Sequence, residues 1–240
     1  MIQIDRHATV AQIVTEHTVA ARVFQKHGID YCCHGNVTVP QACLDGRLDP
    51  EALFAELEAA LARGDARTEE SPRALSTAAL IARIVDRHHG YLRAALPHIA
   101  PIMAKVAKVH GPRDPRLQRL HAAFSELAAS LGPHLDDEEQ ILFPALMART
   151  PELEAVRREL GRMLEEHLAV GDLLAEIRGL TDGFTTPEWG CNTYRVLMSE
   201  LDTLEADILR HVHLENHVLA PRFGVVATPA AAQPSKETGA

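Results

Sequence analysis

Two stretches of the chain nearly repeat each other: HLDDEEQILFP at residues 134–144 and HVHLENHVLAP at residues 211–221. Each opens on a His, carries a Glu four places on, and has a Pro ten places after the His. On a helix, positions four apart lie on one face, so each phrase presents an imidazole and a carboxylate together. Imidazole nitrogen with carboxylate oxygen is a donor set suited to iron and manganese. Asp137 could compete with Glu138, but its counterpart in the second phrase is Leu214, so Glu138 and Glu215 are the shared candidates. Glu139 is rotated by about 100° from Glu138 and is expected to face away.

Four helical patterns must position these phrases. The second runs Leu117, Leu120, Phe124, Leu127, Leu131, His134, Glu138, Ile141, in alternating steps of three and four. The fourth runs Leu197, Leu201, Leu204, Ile208, His211, Glu215, Val218, and the third Leu153, Val156, Leu160, Met163, His167, Val170, Leu174, Ile177. The first runs Leu75, Ala78, Ala82, Val85, His89, Leu92, Leu96. A competing register for it (Ile81, Ile84, His88, Tyr91) would put His88 inward; His89 keeps step with Leu92 and Leu96 and is preferred. Four such apolar seams bury one another as a four-helix bundle, so the fold class is all-α.

The polar residues interrupting the seams are His89, His134 with Glu138, His167, and His211 with Glu215. One His on a seam is more often a hydrogen-bonded core residue than a ligand, and a His–Glu pair on a helix is most often solvated. Unpaired carboxylates in an apolar core would each cost several kcal/mol or become protonated. Interruptions on all four helices therefore call for a cation among them. Six ligands exceed one tetrahedral zinc. They suit two metals about 3.5–4 Å apart, spanned by the glutamates, with positions open to a small exogenous ligand. His98, His121, His213 and His217 fall off the seams and are expected at the surface or supporting the ligands.

RHHGYLRAALP, HLDDEEQILFP, EEHLAVGDLLAEI and HVHLENHVLAP resemble the hemerythrin-like di-iron domain of the repair-of-iron-centres family, and DYCCHG resembles the short domain preceding it there. The likeness spans roughly residues 5–223. It implies two carboxylate-bridged, oxo-bridged non-haem irons on His89, His134, Glu138, His167, His211 and Glu215. It further implies nitric oxide binding at that site and a part in restoring iron–sulfur proteins damaged by nitrosative or oxidative stress. Some relatives are thought mainly to lower free nitric oxide. One departure is Ala220, where the motif usually has Phe.

Composition bounds the rest. The 240 residues are 46% hydrophobic but only 4% aromatic, which suits helices better than sheets. A formal charge of −9 disfavours nucleic acid and anionic membranes as partners. No run approaches the length of a membrane span and the N-terminus lacks a signal-peptide core, so a cytoplasmic protein is expected. The expected organisation is a small helical module at 1–62, a linker at 63–73, the bundle at 74–224 and a disordered tail at 225–240. In the module, Thr9 caps a helix ending near Gly28, and Asp49 with Pro50 starts another.

Between those two helices lies GIDYCCHGNVTVP, where Cys32 and Cys33 read as a redox or iron-relay thiol pair on an exposed loop, with His34 as a helper. The four cysteines form no C-x-x-C motif and, in a chain without an export signal, no disulfide framework. Nitric oxide reduction at the metal site is one rival function; dioxygen binding or iron storage is another, disfavoured because a carrier has no need of the thiol module. Monomer or homodimer is left open.

Overall fold

The computed structural model describes residues 4–63 and 71–227. Among these the regular structure is helical, apart from one antiparallel bridge between Thr9 and Thr38. The cores of the expected linker, 64–70, and tail, 228–240, lie outside the described residues.

In the first module, α1 (Val10–Glu16) starts in a capping box: Gln12 N–H donates to Thr9 Oγ1, and Thr9 N–H to Gln12 Oε1. The single helix expected up to Gly28 is interrupted. Thr15 Oγ1 bonds back to Ala11 O, the chain leaves helical geometry at His17, and α2 (Ala20–Lys26) begins afresh. Gly28 then supplies the positive φ that turns the chain into the Cys loop. Next comes α3 (Val39–Gly46), and α4 (Pro50–Arg63) starts where Asp49 Oδ1 accepts from Glu51 N–H.

The bundle comprises α5 (Thr77–Ile84), α6 (Gly90–His110), α7 (Arg116–Asp137), α8 (Phe143–Leu146), α9 (Leu153–Leu180) and α10 (Asn192–Leu214). α6 packs on α7 and α10, and α9 also packs on both. Three π turns interrupt these rods, at Val85–His89, Glu138–Leu142 and Glu215–Leu219. Each inserts one residue and rotates the next helical segment by about 100° relative to an unbroken helix.

Those insertions correct two seams. Before the first π turn, Ala78 and Ala82 are exposed, and Leu80, Ile81 and Ile84 are buried instead. The two registers open to the first helix are thus both used, one on each side of the turn, and His88 and His89 are both buried. Past the second turn, Ile141 is 52% exposed and Leu142 is buried. The third seam has no π turn and stays in step from Val156 to Ile177, with Leu153 exposed at its start.

The apolar interior forms two clusters. One contains Ile84, Phe143, Leu160, Met163 and Leu219; the other contains Leu92, Leu131, Val170 and Ile208 and continues into Phe24, Tyr31 and Phe54 of the first module. The interrupting His and Glu residues lie in the layer between them. The bundle segment is tied down near both of its ends. Pro72 is buried with its carbonyl accepting from Arg222, and Ala227, expected in a disordered tail, is buried with its carbonyl accepting from Asn36 Nδ2 at 2.5 Å.

Candidate metal centre

All six predicted residues converge in the layer between the clusters, each less than a tenth exposed. They sort into two quartets of donor atoms: His89, His211, Glu138 and Glu215, and His134, His167, Glu138 and Glu215. Each carboxylate gives one oxygen to each quartet. Glu138 Oε2 lies 3.4 Å from His89 Nε2 while Oε1 lies 3.3 Å from His134 Nε2. Glu215 Oε1 lies 3.1 Å from His211 Nε2 while Oε2 lies 3.3 Å from His167 Nε2.

The other face of most rings is occupied. His89 Nδ1 donates to Glu139 Oε1 at 2.8 Å, His134 Nδ1 to Glu166 Oε2 at 2.6 Å and His167 Nδ1 to Asn216 Oδ1 at 2.8 Å. With the proton on Nδ1, each Nε2 carries a lone pair aimed inward. His211 Nδ1 alone has no partner, and its ring stacks on His88, which Asp207 holds at 2.9 Å.

These residues fit metal ions. The Nε2 atoms of His89 and His211 are 3.2 Å apart, as are those of His134 and His167. Lone pairs held that close repel unless a metal ion or a proton separates them. Among the described residues, none of the four carboxylate oxygens makes a hydrogen bond, although Glu138 and Glu215 are buried. Burial alone would raise Glu215, but His211 and His167 hold it well below the usual carboxylate range. Burial likewise opposes charge on His167, yet the facing Glu215 outweighs it and lifts its pKa to about 9, so that without a metal ion a proton takes the inward Nε2 lone pair. The layer demands positive charge.

Three expectations are corrected. Glu139 does not simply face away, because the π turn at Glu138 leaves its carboxylate against His89. Of the two places open to His213 and His217, at the surface or in support of the ligands, the surface is excluded. His213 is 3% exposed, donates from Nδ1 to Tyr31 O at 3.2 Å, and has Nε2 3.0 Å from Thr15 Oγ1. His217 Nε2 donates to Cys32 O at 2.9 Å. Off-seam position on α10 points toward the first module rather than toward water. His98 is exposed as expected, and His121 is half-buried.

For the same reason the Cys loop is not exposed. Cys32 and Cys33 are 1% and 3% exposed, their Sγ atoms 3.5 Å apart, and Cys33 Sγ lies 3.4 Å from His167 O. Asp30 Oδ1 organises the loop by accepting from the N–H groups of both cysteines, at 2.9 and 2.8 Å, while Oδ2 accepts from His34 at 2.6 Å. The Cys33 thiol, burial and Asp30 hold the Cys32 thiol well above its usual range, so it is protonated at neutral pH.

This bundle, with His and Glu donors at its centre, is a hemerythrin-type cation-binding architecture. Residues 80–223 match the hemerythrin HHE cation binding domain family, and residues 6–61 match a domain of unknown function, DUF542. The chain is 33% identical over 222 residues to the iron–sulfur cluster repair protein ScdA of Staphylococcus haemolyticus, covering 92% of this chain and 99% of the relative. It is 34% identical over 211 residues to the iron–sulfur cluster repair protein YtfE of Yersinia pseudotuberculosis, covering 85% and 90%. The chain belongs to the hemerythrin HHE family, within the group of repair-of-iron-centres proteins that carry both domains. None of its described helices is long and apolar enough to cross a membrane.

Proposed function

We propose that the chain is a di-iron protein that takes part in repairing iron–sulfur clusters damaged by nitrosative or oxidative stress, and that it binds nitric oxide at the buried centre. The observation that carries the metal assignment is the division of each carboxylate between two imidazole pairs, leaving four buried oxygens without hydrogen bonds. His89 and His211 would hold one iron and His134 and His167 the other, with Glu138 and Glu215 shared. The repair role is supported by the names of relatives aligned over nearly their whole length.

Bound iron would supply one-electron chemistry and a coordination position for a small ligand. The protein's part is orientation. Glu139, Glu166 and Asn216 fix the tautomer and ring plane of three histidines, and the apolar clusters on both sides exclude water. The Cys32–Cys33 pair, with Cys33 Sγ 3.4 Å from His167 O, would pass iron or electrons between the centre and a damaged protein. Oxidised to a disulfide, the two thiols would supply two electrons and two protons.

Metal analysis with absorption spectra before and after nitric oxide tests the site; two irons per chain and a nitric-oxide-dependent spectrum are expected. Recovery of a cluster-dependent enzyme in an extract exposed to nitric oxide tests the repair role. A chain isolated with one tetrahedral zinc on these residues would sink the metal assignment. Nitrous oxide production without enzyme recovery would favour the reductase reading.

A further inference from the structure

We propose that Asn216 is a positioning residue that ties the His134–His167 half of the centre to the Cys32–Cys33 loop, so that the loop sets how firmly that half alone holds its metal. The inference rests on the two-metal reading above and adds an inequality between the two positions.

Asn216 is 2% exposed and uses both ends of its amide. Oδ1 accepts from His167 Nδ1 at 2.8 Å, and Nδ2 donates to Cys32 O at 2.9 Å. The internal repeat shows why this residue is an amide. Its counterpart in the first phrase is Glu139, which serves His89 in the same way. A carboxylate could accept from His167 but could not donate to Cys32 O, and would set a negative charge against that carbonyl. Asn is the residue of similar shape that does both.

The same loop also grips the backbone of His167. Cys33 Sγ lies 3.4 Å from His167 O, and a Cβ built on Gly171, one turn further along α9, would sit 3.6 Å from that sulfur. His217 adds a second donor to Cys32 O. His89 has no such link, since its acceptor Glu139 is held by Arg93 of the same bundle, whereas Asn216 is held by the loop. A hydrogen bond to a carboxylate is also roughly twice as strong as one to a neutral amide. Displacing the loop therefore frees the Asn216 amide to turn away from His167 and leaves His89 untouched.

The test uses the full-length chain loaded with 57Fe, following release to a chelator and the two Mössbauer components. Wild type must first show two irons; any other stoichiometry fails the two-metal reading before a variant is made. In Asn216→Leu, one iron is expected to leave about tenfold faster or more, with one Mössbauer component altered and the other retained. Asn216→Asp keeps the acceptor for His167 but loses the donor to Cys32 O, so release of that one iron should be slower than in Asn216→Leu yet faster than in wild type, while alkylation of Cys32 and Cys33 becomes faster because the loop has lost its donor. Glu139→Gln is the mirror control, expected to loosen the other component. Should Asn216→Leu fail to fold, Asn216→Asp and Glu139→Gln still decide the matter through alkylation and component identity. Equal acceleration of both irons in a folded variant, or release and alkylation unchanged in all three, overturns the proposal.

Discussion

The two halves of the centre are built from the same phrase and finished differently. In the half containing His89 and His211, the ring of His89 lies between Glu139 and Phe143, whose ring is 5.7 Å away. The equivalent positions in the half containing His134 and His167 are Asn216 and Ala220. Both Phe143 and Ala220 are buried, so the smaller residue reflects a different surrounding rather than a hole open to water. The first half is completed inside the bundle; in the second, the bundle residue that serves His167 is itself held by another module. A repeated motif can fix identical donors and still deliver unequal sites, because the residues supporting each ligand come from whatever packs beside it.

The largest expected effect would break the comparison at its root. Glu138→Ala or Glu215→Ala should each remove both metals, because each carboxylate serves both quartets. Metal analysis showing one iron retained would mean that the halves do not share ligands.

Phe143→Ala should destabilise the chain by about 3–5 kcal/mol, as expected for a fully buried aromatic. Because its ring supports His89, any change in the bound metal should be confined to that half. Denaturant unfolding with Mössbauer spectra reads both. Equal disturbance of both components would argue against a local role.

His213→Ala should leave iron nearly intact, whereas His211→Ala should not. The first should nevertheless cost about 1–3 kcal/mol, because it strips partners from Tyr31 O and Thr15 at the module interface. Thermal unfolding with no shift would return His213 to the surface role its spacing suggests.

The smallest effect concerns the loop behind His167. The hydrogen bond that His34 donates to Asp30 raises the pKa of His34 despite burial. Burial alone would raise Asp30, but His34 and the Cys33 and Cys32 groups hold it at about 2. The Asp30 contribution is full above about pH 4 and lost as pH falls toward its folded value; that of His34 is full below about 6.5 and lost as pH rises through its own. The pair is complete between those limits. Its side chains are 40% and 34% exposed, so solvent screens the gain. An NMR titration should give His34 a midpoint above 6.5 that moves down in Asp30→Asn; an unmoved midpoint would detach this pair from the loop's order.

The helical seams are legible in the sequence because burial imposes a period, and polar residues that keep that period have nowhere to go but the core. His134, Glu138, His167, His211 and Glu215 are of this kind. His89 lies on a register that holds only beyond the π turn, since Ala78 and Ala82 on the same line are exposed. A one-residue insertion leaves no mark in composition, and adjacent histidines on either side of it look like alternatives when both are buried. The Glu-Glu and Glu-Asn pairs of the repeat do carry a signal for Glu139 and Asn216 as supports, for each comes directly after its shared Glu.

By itself the sequence determined the donor types, their spacing and the four rods that carry them, because these arise from local periodicity and the chemistry of single side chains. Only the tertiary structure decided what lies behind each ring. Cys32 and Cys33 are separated from His167 and Asn216 by most of the chain, and no period relates them. Their contact exists because the off-seam face of α10, with His213 and His217, meets the first module instead of water. A sequence records which residues avoid solvent within one helix; which neighbour shields them is settled when separate elements pack, and the proposed inequality of the two metal positions would arise there.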